Sequence, residues 1–264
     1  MALVDPVRLK PLLGPLAGRF DVDGLGLCDS TSSELLRRAE AGAPGGTVVV
    51  ADEQTAGRGR RGRAWLSSAA DSLTFSLLWR FPGPAGRLAG LSLAVGVALA
   101  EGLERLGATG VRLKWPNDVL LAQAEGFAKL AGILVEMTGD RRGMATVIGI
   151  GINLRAPEPA ILALPAAGLA DALPTLPERH ELLAALLVAL AETIDRFETG
   201  GFAALQGAWQ RRHAWQGKAV TLTEDGQVEG EGICLGADTD GALLVETPVC
   251  VKRFLSGDVS LRLK

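Results

Sequence analysis

The stretch Gln54-Thr-Ala-Gly-Arg-Gly-Arg-Arg-Gly-Arg-Ala-Trp65 follows directly after an apolar, β-branched run at 47–50. It holds four arginines and three glycines within seven consecutive residues, 57–63. Glycine allows a ligand to approach the backbone closely, and arginine offers a planar, permanently charged fork to carboxylate or phosphate oxygens. The stretch therefore predicts an anion-binding loop at the rim of a sheet, just after a buried strand.

Strand and helix patterns lie on both sides of this loop. A turn at 117–118 and a loop at 123–128 predict a hairpin in the middle of the chain. Gly149 and Gly151 interrupt a strand pattern, which indicates close approach by a ligand or by backbone. The apolar patterning predicts strands at 47–53, 72–80, 111–115, 129–138 and 145–154, and helices at 87–106, 178–198 and 202–212. We expect one mixed β-sheet.

A short helix is predicted at 32–41, before the strand that leads into the loop. Thr31 and Glu34 fit a capping box at its N-terminus. Ser30 and Thr31 either cap this helix or turn their hydroxyls toward a ligand, since backbone donors converge there. Residues 1–26 are expected to form a short lead with one or two helical turns.

The sequence pattern changes at Gly217. Five short alternating runs follow, with hairpin signals at Asp225-Gly226 and Asp240-Gly241. They lie at 219–223, 228–235, 242–247, 249–255 and 259–263. A module this small has little core of its own, so it should dock on the main domain. We predict a catalytic-type domain at 1–213 and a small β-barrel at 214–264.

Composition narrows the class of protein. The 264 residues carry a net charge of −3 and are 48% hydrophobic, so the basic loop is a local feature and general nucleic-acid affinity is not expected. The longest apolar run, 88–100, is too short to span a bilayer. Three widely spaced cysteines suggest neither a disulfide framework nor a zinc motif. With no signal-peptide pattern, we expect a cytoplasmic protein without a membrane segment or a resident metal.

A second cationic position, Lys114, also lies at a strand end. Gln54 and Asn153 end two further strands, so a pocket that collects anions explains these four features together. The sequence has no Walker-type loop and no Gly-x-Gly-x-x-Gly opening a helix. His180 and His213 lie outside any nucleophile motif and are expected to be structural or solvated.

Five motifs, taken in order, resemble bacterial biotin–protein ligases. They are Ser30-Thr31, the stretch 54–65, Lys114-Trp-Pro-Asn-Asp118, Lys129-Leu-Ala-Gly-Ile-Leu-Val-Glu136 and Gly149-Ile-Gly-Ile-Asn153. The resemblance spans residues 12–264. It implies an α+β fold in which a mixed-sheet catalytic domain, related to lipoate ligases and class II synthetases, precedes an SH3-like β-barrel.

The resemblance also implies a two-step reaction. Biotin and ATP form biotinyl-5′-AMP with release of pyrophosphate, and biotin then passes to a lysine of a biotin carboxyl carrier protein or domain. Bringing a carboxylate to a polyanion costs of order 1 kcal/mol per charge pair at 4 Å in water. Arginines and a lysine would offset this repulsion, and Mg²⁺ would accompany ATP. Because the leaving groups are good, a catalytic His or Cys is not needed.

Carried over residue by residue, the resemblance implies catalytic roles for Lys114, Arg58 and Arg60. The implied biotin site consists of Ser30, Thr31, Ser32, Gln54, Gly57, Arg58, Gly59, Arg60, Trp65, Lys114, Gly132, Gly149 and Gly151. The implied ATP site consists of Arg60, Arg63, Lys114, Asn117, Asn153 and Arg262. The family often has Asn where this chain has Ser32, which puts that contact in doubt.

Three other points stay open at the level of sequence. Lipoate– or octanoate–protein ligase chemistry uses the same fold, and an Arg-Gly run also occurs in non-enzymatic RNA-binding proteins. The short lead before Ser30 leaves no room for a DNA-binding domain, so we expect no operator binding. The resemblance is compatible with a monomer or a homodimer.

Overall fold

The computed structural model describes residues 2–140, 143–157, 165–224, 227–255 and 259–263. A seven-stranded mixed sheet has the order β1-β2-β3-β7-β6-β5-β4. β1 and β2 are parallel, and every other neighbouring pair is antiparallel. The strands are β1 (Asp21–Cys28), β2 (Thr47–Gln54), β3 (Ser72–Phe81), β4 (Val111–Lys114), β5 (Asp118–Gln123), β6 (Gly126–Asp140) and β7 (Gly143–Asn153).

Helices cover the two faces of this sheet unequally. The helices are α1 (Pro6–Leu9), continued by a 3-10 segment, α2 (Thr31–Glu40), α3 (Leu91–Arg105), α4 (Arg179–Gly200) and α5 (Ala203–Arg212). On one face, Val48, Phe75 and Ile150 pack into a large core with α3, α4 and α5. On the other face, α2 is the one helix of the described chain that packs, through Leu35 against Val49 and its neighbours. That second face is therefore open beyond the N-terminus of α2.

Most of the predicted elements are found within a few residues of their predicted bounds. β1 was not predicted, because its sequence mixes two glycines with two aspartates, which disfavour strands. Its formation depends on parallel pairing with β2. The predicted capping box is wrong by one residue: Ser30 is the N-cap and accepts from the Ser33 N–H. Thr31 instead turns its hydroxyl toward the sheet.

The C-terminal residues form a five-stranded antiparallel sheet, as expected. Its order is β11-β10-β9-β8-β12, and the β9–β10 turn contains Asp240-Gly241, with Gly241 at φ +81°. The other hairpin signal, Asp225-Gly226, lies outside the described residues. The strands are β8 (Ala219–Glu224), β9 (Gln227–Ala237), β10 (Leu243–Glu246), β11 (Val251–Phe254) and β12 (Val259–Leu263).

The two sheets meet next to β4. The Ala214 N–H donates to the Leu113 carbonyl at 2.9 Å, so the connecting segment runs along the outer edge of β4. The Trp115 indole N–H donates to the Gly241 carbonyl at 3.1 Å. Residues Ala85–Arg105 are apolar and long enough to cross a membrane by composition alone, but 67% of their apolar window is buried in this fold. A helix of this kind is typical of a protein core.

Candidate active site

Strand register aligns one residue from each of six strands across the open face of the sheet. This transverse row consists of Ala51, Thr74, Gly151, Gly132, Asp118 and Lys114. Gly132 and Gly151 form a floor without side chains in its middle. A Cβ on Gly151 would collide with the Trp65 indole, and one on Gly149 would collide with the Ser32 hydroxyl. The glycines thus allow Trp65 and α2 to close over the strands.

The end of the site next to α2 is neutral and rich in hydrogen-bonding groups. The Thr31 N–H donates to Gln54 Oε1 at 2.8 Å, and the Thr31 hydroxyl lies 3.2 Å from the same oxygen. The Ser76 hydroxyl is 2.8 Å from that of Thr31 and 3.1 Å from that of Ser32. Because its oxygen accepts both bonds from Thr31, the Gln54 amide presents its NH₂ group as the donor for a ligand.

An ion pair fixes the chain just before α2. Arg37 binds both carboxylate oxygens of Asp29 at 2.9 Å, and the Ser30 N–H donates to Asp29 at 2.7 Å. These hydrogen bonds, that of Arg37 first, lower the pKa of Asp29 to about 2. Asp29 is therefore ionised at neutral pH and holds the Ser30-Thr31 turn in place.

The anion-binding loop forms a small hairpin above the glycine floor. The Trp65 N–H donates to the Gly57 carbonyl at 2.9 Å, and the Gly59 N–H donates to the Arg63 carbonyl at 2.7 Å. Arg61 at the tip has φ +58°. Side chains of the loop also contact the sheet: Arg58 Nη2 binds Glu136 at 2.7 Å, and Arg60 Nη1 lies 3.4 Å from Asn117 Oδ1.

Two lysines and one carboxylate form the cationic end of the site. Asp118 lies 2.6 Å from the Lys129 ammonium and 3.6 Å from that of Lys114. Lys114 also lies 4.8 Å from the centroid of the Trp215 ring, and Lys129 lies 5.9 Å from that of Trp65. Burial, the largest single effect, raises the pKa of Asp118, but the two ammonium groups outweigh it and the pKa is lowered.

These features surround one cavity of about 370 Å³. It gathers almost all residues that the sequence assigned to the site: Ser30, Thr31, Ser32, Gln54, Arg58, Gly59, Arg60, Arg63, Trp65, Lys114, Asn117, Gly132, Gly149, Gly151 and Asn153. Gly57 does not line this cavity; it lies on a second one, between the loop and β6. Arg262 lies in β12, and its side chain falls outside the described part of the chain.

Two asparagines of the predicted ATP site already have structural partners. The Asn153 amide donates to the Ala167 and Lys129 carbonyls at 3.1 and 3.3 Å. The Asn117 amide donates to the Ile133 carbonyl at 2.8 Å. Both side chains therefore hold strands and connections together.

Four charged or hydroxyl-bearing cavity residues were not predicted as site residues: Arg61, which belongs to the anion-binding loop, Thr74, Asp118 and Lys129. Asp118 and Lys129 stand in the motifs quoted above, so a sequence signal existed. Thr74 has none, because only the pairing of β3 with β7 brings it to the glycine floor. Within the described residues, no group of three or more His, Cys, Asp or Glu side chains is placed to hold a metal.

The comparisons with known proteins agree with this geometry. Residues 26–153 match the biotin/lipoate A/B protein ligase family, and residues 217–262 match the biotin protein ligase C-terminal domain. The chain is 39% identical over 268 residues to the bifunctional ligase/repressor of Escherichia coli (strain K12), covering 99% of this chain and 81% of that protein. This chain belongs to the biotin protein ligases.

Other members of that family support the assignment. The biotin–[acetyl-CoA-carboxylase] ligase of Paracoccus denitrificans is 37% identical over 227 residues, covering 83% of this chain and 92% of that protein. The biotin protein ligase of Aquifex aeolicus, solved with biotin and ATP, superposes with a TM-score of 0.79 at 32% identity. It covers 92% of this chain and 99% of its own. The family, the α+β fold and the enzyme class expected from the motifs are confirmed.

Proposed function

We propose that this chain is an ATP-dependent biotin–protein ligase that makes biotinyl-5′-AMP and transfers biotin to a lysine. The observation that carries the proposal is the polarity of the cavity. Uncharged donors and acceptors surround one end, and arginines and lysines surround the other. Biotin has the same polarity, with a neutral ureido ring at one end and a carboxylate at the other.

This polarity gives the orientation of biotin. The ureido group would lie against Thr31, Ser32 and the Gln54 amide, whose mutual hydrogen bonds fix their directions. Its acid chain would run beside the Trp65 ring, which packs directly on Gly151 and Gly132. The carboxylate would then reach the cationic end.

At the cationic end, the first step joins two anions. A carboxylate oxygen attacks the α-phosphorus of ATP, the bond to the bridging oxygen breaks, and pyrophosphate leaves with that electron pair. Arg58 and Arg60 would offset the repulsion and align the two reactants, since in this transfer positioning and charge stabilisation supply most of the rate. No side chain has to move a proton in this step.

Two lysines supply further positive charge at this end of the cavity. Lys114 was the expected contact for the carboxylate and the α-phosphate. Lys129 also lines the cavity, and 30% of its side chain is accessible against 13% for Lys114. We therefore assign Lys129 to the reacting oxygens together with Lys114. Asp118 holds both ammonium groups from below.

Mg²⁺ would enter with ATP. Asp118 is the only carboxylate among the residues that line the cavity, and its two lysine partners neutralise it. The described residues thus fit a Mg²⁺ ion that the phosphates hold, and they do not fit a resident protein site. The Mg²⁺ ion would neutralise part of the charge of the phosphates.

In the second step, the amine of an acceptor lysine attacks the acyl carbon of biotinyl-5′-AMP. The bond between that carbon and the phosphate oxygen breaks, AMP leaves, and the ammonium proton passes to solvent. We infer that the acceptor is a biotin carboxyl carrier protein or domain in the cytoplasm. Domains at 1–213 and 214–264, with Arg262 on the nucleotide side, remain predictions.

The test is exchange of labelled pyrophosphate into ATP by the purified protein. We expect exchange that requires biotin and Mg²⁺ and that lipoate does not support, because only a reversible adenylation returns label to ATP. A full reaction with an isolated carrier domain should then yield one biotinylated lysine. Exchange supported by lipoate in place of biotin would contradict the proposal.

A further inference from the structure

One buried hydroxyl at the floor of the cavity has no partner. Thr74 is 4% exposed, lines the cavity from the middle of β3, and its Oγ1 has no hydrogen-bond partner among the described residues. A buried polar group left unpaired costs about 1–3 kcal/mol and needs an explanation, and of the threonines with such a hydroxyl in the described chain, Thr74, Thr146 and Thr193, Thr74 alone lines the cavity. The position therefore calls for a partner that the chain itself does not provide.

The two hydroxyl residues next to Thr74 on the same face of β3 do have hydrogen-bond partners. Ser72, Thr74 and Ser76 point to the same face of β3 because side chains alternate. The Ser72 hydroxyl donates to the Ser68 carbonyl at 2.9 Å, and the Ser76 hydroxyl is shared with two hydroxyls of α2. Of the three, only Thr74 lines the cavity, and only its hydroxyl lacks a partner in the described chain.

A second unpaired group lies next to the same floor of the sheet. Its cross-strand neighbours, Ala51 and Gly151, are small. The Trp65 indole lies over Gly151, and its buried Nε1 also lacks a partner among the described residues. A hydroxyl and an indole N–H thus both lie next to Gly151. Both can donate to one acceptor.

The position of Thr74 selects the part of the ligand that it can reach. It lies two residues from Ser76 at the neutral end, about 7 Å along the strand, and three strands from Asp118, about 14 Å across the sheet. Given biotin as the proposed substrate, the atoms between its ureido group and its carboxylate are carbon and one thioether sulfur. Sulfur of this kind is a weak acceptor.

We propose that Thr74, with Trp65, binds the thioether sulfur of biotin and so determines specificity for the sulfur-containing ring. The hydroxyl of Thr74 donates to the sulfur, which satisfies the unpaired group on binding. This inference rests on the proposed function. It assigns to the site a residue that recognises the middle of the ligand.

The experiment compares Thr74→Val with Thr146→Val in the full-length protein. Both changes replace a buried threonine, with an unpaired hydroxyl, by a residue of the same shape. Thr146 does not line the cavity and is 0% exposed, so it is the matched control. Calorimetry gives the dissociation constants of biotin and of dethiobiotin, which lacks the sulfur, and a thermal melt gives the stability of each variant.

We expect Thr74→Val to weaken biotin binding about three- to tenfold, the effect of one lost hydrogen bond, and to leave dethiobiotin binding unchanged. Its melting temperature should stay equal to that of the wild type or rise, because an unpaired hydroxyl is removed. Thr146→Val should bind both ligands as the wild type does. A Thr74→Val protein with wild-type affinity for biotin overturns the inference, and so does an equal loss for both ligands. A wild type that binds no biotin would instead contradict the proposed function itself.

Discussion

Asp118 lies between two ammonium groups, with Lys129 at 2.6 Å and Lys114 at 3.6 Å. Burial, the largest effect, raises the pKa of this carboxyl, and the two lysines together lower it below the ordinary value. A carboxyl with a lowered pKa in the folded state stabilises the fold fully above its unfolded pKa. That contribution is lost as the pH falls through the folded pKa.

The first prediction at this scale concerns Lys129→Met. Without that ammonium, burial should dominate and the pKa of Asp118 should rise. We expect the free energy of unfolding to fall by about 1–3 kcal/mol at pH 7 and biotin-dependent exchange to be lost. The stability difference from the wild type should shrink as the pH falls through the raised pKa of the variant, past about 3.9, where an unfolded aspartate is protonated, and through the lowered pKa of the wild type. Urea unfolding across this pH range measures it.

Lys218→Met is the control, because Lys218 is an exposed lysine outside the cavity. It should leave exchange, stability and their pH dependence unchanged. A Lys129→Met protein with wild-type exchange would show that Lys129 does not contact the reacting oxygens and that Lys114 alone carries that role.

At the scale of elements, the anion-binding loop is a hairpin with an electrostatic attachment to the sheet. Its backbone bonds close residues 57–65 on themselves, and the pair between Arg58 and Glu136 joins the loop to β6. This pair is partly exposed, so its contribution is about 0–1 kcal/mol. The attachment is therefore weak enough for the ligand to compete for Arg58.

We predict that Glu136→Gln raises the hydrogen-exchange rates of the Gly59 and Trp65 amides in the unliganded protein up to about fivefold. Biotin and ATP together should then protect these amides in both proteins, because the loop arginines gain anionic partners. Exchange mass spectrometry over residues 57–65 measures both effects. Glu104→Gln breaks a comparable surface pair with Arg212 and should leave the loop unchanged. Equal loop exchange in all unliganded proteins would contradict a role for Glu136.

The loop was predictable from sequence because its chemistry is contiguous: glycines and arginines alternate over a few residues. α2 and the strands next to the loop were also predictable, because the spacing of apolar residues and the capping pattern of α2 are contained in a few consecutive residues. β1 was not, because it becomes a strand only by pairing with β2. Thr74 was not, because strand register brings it beside Gly151, and register depends on residues far apart in the chain. Local sequence patterns thus predicted the arginines of the loop. The glycine floor of the cavity forms by pairing of strands that are far apart in the chain, so its lining could not be predicted in the same way.

At the scale of the whole molecule, the C-terminal sheet meets the catalytic face through β4. The segment after α5 runs along this strand, and its Trp215 ring, 2% exposed, faces the Lys114 ammonium. Next to it, His213 stacks on Trp209 at 4.4 Å, and burial lowers the pKa of His213 to about 4. The stacked pair of His213 and Trp209 is thus uncharged at neutral pH, and the Trp215 ring near it faces the Lys114 ammonium.

Trp215 lies in the segment that leads to the C-terminal sheet, and its ring contacts the Lys114 ammonium. The placement of this segment therefore affects where the Lys114 charge lies relative to the reacting oxygens. We predict that Trp215→Leu lowers the rate of adenylation about tenfold and leaves the KM for biotin within about twofold, since a desolvated cation–π contact contributes about 1–2 kcal/mol. Trp215→Phe keeps an aromatic face and should restore most of the rate, although both variants lose stability through the smaller side chain. Single-turnover formation of biotinyl-5′-AMP, measured well below each melting temperature, separates the rate from folding. If Leu and Phe lower that rate equally, the ring acts only by filling space, and Lys114 is positioned by Asp118 instead.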